Sequence, residues 1–390
     1  MTGASGKDAA LLSVSIAAGP AITALLNAVG VAETAHRTGV LTSSKANTPG
    51  DLTAFPLPSG SDPNRIISEI EAIAGQHAVD HLIVECEPDR PPMAYASLFA
   101  ADDLSKTLNK VSRLTNIAFA IQPAAFLGAI LDHEPNPLPA CFVAEQMEFV
   151  SHIFLDGVPG DPEFDRARSI ALVLNPRAQV SPLALAAVEM WRNNSPAPFD
   201  FEAALNGAGW RQLLDAEEPI FAPDTKITAF GYRARRPFHP ERFWNLLQKN
   251  WGDVCRAKGF FWLATRMNDV GGLNLAGSEL HCASAGVWWA ARDPGSRESE
   301  MPERTRAEWN EPFGDRRQSF AVMALGVDPS TLQSSLDACL LTDPEMAEGT
   351  DHWNEFTDPF PSWSSHAHAH HHDHDCDHHH GSEEHDCCHH

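Results

Sequence analysis

The sequence is poor in basic side chains. Its 390 residues include 28 lysines and arginines against 52 aspartates and glutamates, which gives a formal net charge of -24 at pH 7. A surface this acidic repels a phosphate backbone, so we exclude nucleic acid as a partner. The hydrophobic fraction of 43% is that of an ordinary folded protein, and the length allows two domains.

The sequence also lacks a long and strongly apolar run. Residues 9–32 carry no charge, but they include Pro20, several small polar side chains and many alanines. A buried strand followed by a helix explains this stretch better than a membrane-spanning helix. A signal peptide is not favoured either, because Asp8 interrupts the basic start that such peptides have. We therefore expect no membrane as a partner.

A disulfide framework is missing as well. Five of the eight cysteines are scattered through apolar contexts with no regular spacing, namely Cys86, Cys141, Cys255, Cys282 and Cys339. This pattern predicts a reduced, cytoplasmic protein. Cys282 lies beside His281 and Cys255 beside Arg256, so each is a candidate ligand or nucleophile, but packed core cysteines are the expected interpretation.

The first half of the chain alternates short apolar runs with helical patterns. The runs predict strands over 11–17, 81–85, 117–121, 153–155 and 170–174, and the spacing predicts helices over 22–31 and 66–73. Strands separated by helices indicate an α/β domain with a mostly parallel sheet, which we place at residues 1–192. Residues 193–223 are rich in proline, alanine, glycine and acid and are predicted to be a linker.

The second half predicts a smaller α+β domain over 224–352. Strands are expected at 226–232, 258–264, 286–290 and 318–325, with a helix that opens near Pro240 and a last one capped by Asp328. The order β-α-β-β-β-α indicates an antiparallel sheet with helices on one side. Residues 353–390 form a tail whose histidine-rich part is predicted to be disordered.

Several segments of this second domain resemble the C-terminal domain of the CobW family. They are Pro-Phe-His-Pro-Glu-Arg at 237–242, Arg-Ala-Lys-Gly-Phe-Phe-Trp-Leu-Ala at 256–264, Gly-Asp-Arg-Arg-Gln at 314–318, and the segments 340–343 and 358–363. The family consists of P-loop GTPases regarded as metal chaperones, chiefly for zinc and in some members for cobalt. The resemblance therefore implies a P-loop-NTPase-like first domain.

The matching phosphate loop has lost its working residues. Family members carry GxxGxGKTTLLN, whereas residues 16–27 read Ile-Ala-Ala-Gly-Pro-Ala-Ile-Thr-Ala-Leu-Leu-Asn. Ile22 stands in place of the phosphate-binding lysine, and Pro20 removes a backbone donor. Gly19 is retained, Thr23 falls at the magnesium-ligating hydroxyl position, and Glu85 is kept at the end of the second family strand. These three are the candidate residues of a relic nucleotide site.

Two further family motifs are absent. The guanine-reading NKxD would begin at Asp156 and Gly157, and the region matching the metal-binding CxCC, about residues 56–64, contains no cysteine. Loss of the lysine alone costs about 1.5–3 kcal/mol, or roughly ten- to a hundredfold in affinity. The resemblance, with these departures, predicts a pseudo-GTPase that binds GTP and magnesium weakly or not at all.

The tail holds the remaining chemistry. Imidazole and thiolate are the ligands that zinc prefers, and interspersed aspartates attract a dication. The candidate metal ligands are His366, His368, His370, His371, His372, His374, Cys376, His378, His379, His380, His385, Cys387, Cys388, His389 and His390. We expect several exchangeable zinc sites, with cobalt and nickel as alternative metals.

We therefore predict a zinc-binding, metallochaperone-like CobW protein of metal homeostasis, whose tail captures or buffers zinc. Its expected partner is a metal-requiring client protein or an intact paralogue of the family. Two alternatives stay open. One is an active GTP-hydrolysing zinc or cobalt chaperone with an atypical phosphate loop, and the other is a regulatory subunit of an intact paralogue.

Overall fold

The computed structural model describes residues 11–32, 37–43, 49, 52–100, 105–132, 136–193, 197–216, 220–222, 226–248, 251 and 254–363. Within these residues the chain forms two sheets of different kinds, the first parallel and the second antiparallel. The histidine-rich segment that follows Trp363 lies outside the described residues.

The first sheet is parallel throughout. Its described strands are β1 (Leu12–Ala18), β2 (Thr38–Thr42), β3 (Thr53–Pro56), β4 (His81–Glu85), β5 (Ser112–Ile121), β6 (His152–Leu155) and β7 (Gln179–Pro182). They lie in the order β3-β2-β4-β1-β5-β6-β7, so β1 is central. Every residue of β2 and β4 is buried. Strands covered on both faces tend to be continuous apolar runs, which is why the sequence predicted β4, whereas it did not predict β2.

Helices cover both faces of this sheet. The described helices of the first half are α1 (Ile22–Val31), α2 (Pro63–Gln76), α3 (Pro92–Ala100), α4 (Ser105–Val111), α5 (Pro123–Leu131), α6 (Ala140–Phe149), α7 (Pro162–Leu174), α8 (Leu185–Asn193), α9 (Phe201–Asn206) and α10 (Gly209–Asp215). Ile83 packs with α1 and α8, whereas its neighbours Leu82 and Val84 pack with α2 and α3 on the other face. Alternate side chains of β4 therefore pack against the helices on opposite faces of the sheet.

The second sheet is antiparallel. Its described strands are β8 (Ile220–Ala222), β9 (Ile227–Ala234), β10 (Val254–Phe261), β11 (Asp269–Ala276), β12 (Glu279–Val287) and β13 (Gln318–Leu325). They lie in the order β12-β11-β10-β13-β9-β8. The helices of this half are α11 (Pro240–Gln248), α12 (Pro294–Glu300), α13 (Glu303–Ala307), α14 (Pro329–Asp337) and α15 (Asp343–Trp353). The predicted fold class, a parallel α/β domain followed by an antiparallel α+β domain, is confirmed.

The two faces of the second sheet pack against different partners. On one face, Phe238 and Phe243 stack with ring centroids 4.1 Å apart and join Phe320 in an aromatic core beneath α11 and α14. On the other face, Cys255 and Met323 belong to the same hydrophobic cluster as the helices of the first domain. The second domain is therefore seated directly on the first.

The strand predicted over 170–174 is wrong. These residues end helix α7, which begins with Asp161 as the N-cap, accepting the Glu163 N–H, and Pro162 as the first helical residue. A short apolar run cannot be told from a buried helical segment by periodicity alone. The Asp161-Pro162 pair was the local signal that favoured a helix.

The strand predicted over 286–290 is also wrong in most of its length. Strand β12 ends at Val287, and Trp289–Ala291 form a 3-10 turn. The Asp315 carboxylate accepts the N–H groups of Trp289 and Ala290, which removes them from any sheet ladder. This long-range contact overrides the strand propensity of the tryptophans.

The segment 193–223 contains α9, α10 and β8. Helix α10 contacts β9, β10 and β13 of the second sheet and α7 of the first domain. The division of the chain at 192, 223 and 352 stays a prediction. No helix within the described ranges is both long and apolar enough to cross a membrane.

Candidate functional site

The three candidate residues of the relic nucleotide site lie at the carboxyl end of the parallel sheet. Gly19 directly follows β1, Thr23 is exposed on the first turn of α1, and Glu85 is the buried last residue of β4. The Thr42 hydroxyl, at the end of β2, donates a hydrogen bond to the Glu85 carboxylate. This is the edge at which ligands of open α/β sheets bind.

The connection between β1 and α1 is short, and two backbone N–H groups there are hydrogen-bonded to oxygens of the protein. Only Gly19, Pro20 and Ala21 separate the two elements. The Ala21 N–H donates to Ala120 O at 3.0 Å, and the Ile22 N–H donates to Gly19 O at 3.1 Å. A phosphate loop needs several backbone N–H groups aimed at the ligand. Here Pro20 has none, and the next two are bonded within the protein.

Gly19 allows this connection to lie against β5. Its φ is +104°, and a Cβ on it would be 2.3 Å from Ala120 O. The backbone at Gly19 therefore lies directly against β5, with no room for a side chain between them. Only glycine combines this close approach with a positive φ.

We expect Gly19→Ala to lower the free energy of unfolding by about 2 kcal/mol or more, because the new methyl group meets a backbone carbonyl in a left-handed conformation. Urea unfolding checks this. The matched control is Gly75→Ala in α2, where a Cβ meets nothing within 4 Å and the change is neutral or stabilising. Equal effects at the two positions would contradict the close approach at Gly19.

The residues at the position of the base-reading NKxD motif also make contacts within the protein. Asp156 follows β6, and its N–H donates to Ile121 O at 3.0 Å. A Cβ on Gly157 would lie 2.9 Å from Pro123 Cγ, so this turn packs tightly on the start of α5. Neither residue supplies the amide and ammonium groups of NKxD.

Hydrogen bonds hold the loop that matches the family's CxCC region. The Glu87 carboxylate accepts the Ser59 hydroxyl at 2.8 Å and the Gly60 N–H at 2.6 Å. The Arg90 guanidinium donates to Ser61 O at 2.7 Å. The bond from Gly60 is the main reason that the pKa of Glu87 lies below its usual range. A carboxylate thus organises the loop where relatives are expected to place thiolates.

The structure brings together a group of metal-ligating side chains that sequence reasoning missed. Cys141 on α6 lies beside Glu279 and His281 on β12, with one ligand atom of each within 4.8 Å of the others. Cys141 and Glu279 are 138 positions apart in the sequence, so no local pattern could reveal this group. Burial raises the pKa of the Cys141 thiol to about 12. The only local signal was the alternation of Glu279 and His281, which puts both on one face of a strand.

The other singled-out cysteines are placed differently. Cys282 follows His281, so it points to the opposite face of β12, where it packs against the aromatic core of the second domain. Cys255 is buried and its thiol donates to Met323 O at 3.4 Å. The interpretation of both as packed residues agrees with these positions. All fifteen predicted tail ligands lie outside the described residues.

Comparison with known proteins identifies the second domain. Residues 227–340 match the family model described as the cobalamin synthesis protein cobW C-terminal domain. A "zinc-regulated GTPase metalloprotein activator 1" of Dictyostelium discoideum is 27% identical over 316 residues, which cover 75% of this chain and 66% of that protein. A "zinc chaperone" of Mycobacterium tuberculosis is 37% identical over 148 residues, 37% of either chain.

Among solved structures, the zinc-bound YjiA GTPase from E. coli aligns with a TM-score of 0.36 at 11% identity, over 85% of this chain and 99% of that one. We draw nothing from a likeness at this level.

The second domain is therefore a cobW C-terminal domain, and it follows a parallel α/β domain. The chain as a whole is similar to the two relatives, of which it matches 66% of the length of the Dictyostelium protein and 37% of the mycobacterial one.

Proposed function

We propose that this protein handles zinc in metal homeostasis without hydrolysing GTP. The observation that carries the proposal is the β1–α1 connection, in which the Ala21 and Ile22 amides are bonded to protein oxygens and Pro20 has no amide. With Ile22 in place of lysine, the described loop at residues 16–27 has no cation to offset the charge that develops in phosphoryl transfer. The first domain then acts as a scaffold rather than as a nucleotide switch.

Zinc is the metal that the relatives and the tail jointly favour. Two relatives are named as a zinc-regulated activator and a zinc chaperone. The tail supplies twelve histidines and three cysteines, interspersed with aspartates. Nothing in its sequence prescribes one set of four ligands, so we propose several exchangeable sites that suit capture, buffering and hand-over.

The partner in this proposal is a protein. The relative from Dictyostelium is named a metalloprotein activator, which favours a metal-requiring client. The lack of a disulfide pattern favours the cytoplasm as the compartment. The second domain retains the family's segments and is the proposed docking module, for either a client or an intact paralogue. The net charge of -24 keeps nucleic acid out of the list of partners.

Isothermal titration of the metal-free protein with magnesium-GTP, before and after loading with zinc, tests the absence of a working nucleotide site. We expect no saturable heat in either state. The Ile22→Lys variant is expected to behave in the same way, because the lysine returns a cation but leaves the amides bonded to protein oxygens.

Micromolar binding by the wild-type protein would contradict the proposal and favour the active GTPase. In that case GTP turnover that disappears in Thr23→Ala would assign the hydroxyl of Thr23 to the magnesium ion. Saturable binding gained by Ile22→Lys alone would instead show that the lysine was the only missing part.

A further inference from the structure

The contact between the two domains is built around helix α6. The β11–β12 hairpin of the second sheet lies against it, and the turn at Gly277 approaches the neighbouring helix α5 so closely that a Cβ there would be 2.2 Å from Ala129 O. Glu145 and Glu148 on α6 bind Lys258 of β10 at 3.0 and 3.1 Å, and Glu145 also accepts a hydrogen bond from the Asn274 side chain of β11 at 3.3 Å. Bonds from α6 therefore reach both β10 and the hairpin.

At the first turn of α6, this packing places three metal-ligating side chains side by side. The Cys141 N–H donates to Glu279 Oε2 at 3.0 Å, and the Cys141 Sγ lies 3.8 Å from Glu279 O. The His281 Nε2 is 3.9 Å from the same Glu279 Oε2. One ligand atom from each of the three residues falls within 4.8 Å of the other two.

We propose that Cys141, Glu279 and His281 form a binding site for a zinc-like divalent ion between the two domains. The site is separate from the tail and from the loop that matches CxCC. A thiolate, an imidazole and a carboxylate are together the ligand types of a zinc centre. Coordination to a dication deprotonates the thiol, and its proton leaves to solvent.

The distances are close to those that a tetrahedral ion needs. Bond lengths of about 2.0–2.3 Å to nitrogen, oxygen and sulfur put pairs of ligand atoms roughly 3.3–3.7 Å apart. The separation of His281 Nε2 from Glu279 Oε2 is 3.9 Å, and the other pairs lie within 4.8 Å, so side-chain rotation has only a small difference to close. The His281 side chain is 64% exposed and has the room to turn, whereas Cys141 and the Glu279 backbone are held by the packing of α6 on the hairpin.

Exposure and charge both favour a labile ion. Because His281 faces solvent, the fourth coordination position is open to water or to a ligand from another chain, which is typical of sites that exchange their metal rather than of closed structural sites. The negative charges of Glu145 and Glu148 balance the positive charges of the nearby Lys258 and Arg256. The Glu279 carboxylate and the thiolate therefore supply the negative charge that a dication requires.

Cobalt is a suitable probe, because a cobalt–thiolate bond absorbs in the near ultraviolet whereas zinc is silent. The experiment uses the full-length chain with Cys376→Ser, Cys387→Ser and Cys388→Ser, so that thiolate absorption cannot come from the tail. We expect a charge-transfer band on titration with cobalt, abolished by a further Cys141→Ser substitution. Cys282→Ser, one residue from His281 but on the opposite face of β12, is the matched control and is expected to keep the band.

His281→Ala serves as a second variant in case Cys141→Ser does not fold, since the exposed ring makes no core contact. It is expected to weaken cobalt binding at the thiolate by tenfold or more. Absence of the band in the parent chain, its persistence in Cys141→Ser, or unchanged affinity in His281→Ala would each overturn the site. None of these outcomes bears on zinc capture by the tail or on GTP binding, so the proposed function is tested separately.

Discussion

A chain that ends at Trp363 is expected to bind about three fewer zinc ions than the full-length protein. The deleted segment contains fifteen histidine and cysteine side chains, and a tetrahedral zinc ion takes four of them, which sets an upper limit of about three ions. Equilibrium dialysis with metal analysis, at matched protein concentration, measures the difference directly.

The position of this truncation follows from the described structure. The Arg266 guanidinium lies 4.1 Å from the centroid of the Trp363 ring and donates to Pro361 O at 2.9 Å. The same guanidinium binds the Asp358 carboxylate at 2.8 Å. A chain cut after Trp363 keeps these contacts, so its free energy of unfolding without metal is expected to match that of the full chain.

The control is a full-length chain in which every tail histidine and cysteine is replaced by serine. It keeps the length and the aspartates but loses the nitrogen and sulfur ligands, so it is expected to match the truncated chain. If it still bound three additional ions, the aspartates would be the ligands. Equal stoichiometry in the full-length and truncated chains would refute the tail as a zinc-binding segment.

The elements that the sequence predicted well are those whose local pattern and tertiary role agree. Strand β4 was predicted at its observed bounds, because a parallel strand buried on both faces is a continuous apolar run that proline soon ends. Helix α1 was likewise predicted at its observed bounds, since its apolar side chains meet the sheet and α8. In both cases a few neighbouring residues contain all the information.

The features that the sequence did not reveal depend on distant partners. The strand expected at Trp288 and Trp289 does not form, because Asp315, 26 positions from Trp289 in the sequence, accepts the N–H of Trp289. Substitution of the phosphate-loop lysine by Ile22 was visible in the sequence, but the bond from the Ala21 N–H to Ala120 O was not. Cys141 lies beside Glu279 and His281 only because the hairpin packs against α6, which the sequence does not show. Long-range packing, rather than residue type, decides such features.

The domain contact itself contains a buried ion pair. The Arg256 Nε donates to Glu148 Oε1 at 2.8 Å, and both side chains are at most 5% exposed. The same guanidinium donates to Leu275 O at 2.9 Å. Burial disfavours the charged guanidinium, but the negative groups around it, Glu148 first among them, together outweigh burial, and the pKa of Arg256 lies above its usual value. The guanidinium is therefore charged in the folded protein.

Arg256→Met is expected to lower the free energy of unfolding by about 3–5 kcal/mol, because it leaves the Glu148 carboxylate buried without its main partner. Urea unfolding measures the loss. The control is Arg304→Met, which breaks an exposed pair with Asp215 and is expected to cost at most about 0.5 kcal/mol.

The double variant Arg256→Met, Glu148→Leu distinguishes two contributions to the lost stability. One is the free-energy cost of leaving the Glu148 carboxylate buried without its partner, and the other is the stabilisation that the ion pair itself contributes. Lys258 keeps Glu145 as a partner in this variant, so the substitution leaves no new unpaired charge. If desolvation of Glu148 causes most of the loss, the double variant is more stable than Arg256→Met alone, since well-packed apolar groups replace a buried pair at little cost. A double variant no more stable than the single one would show instead that the loss comes mainly from the bonds of Arg256 to Asn274 and Leu275, which fix the hairpin beside β10. Seating of that hairpin is also what brings Glu279 and His281 to Cys141, so the same variant is then expected to weaken metal binding between the domains.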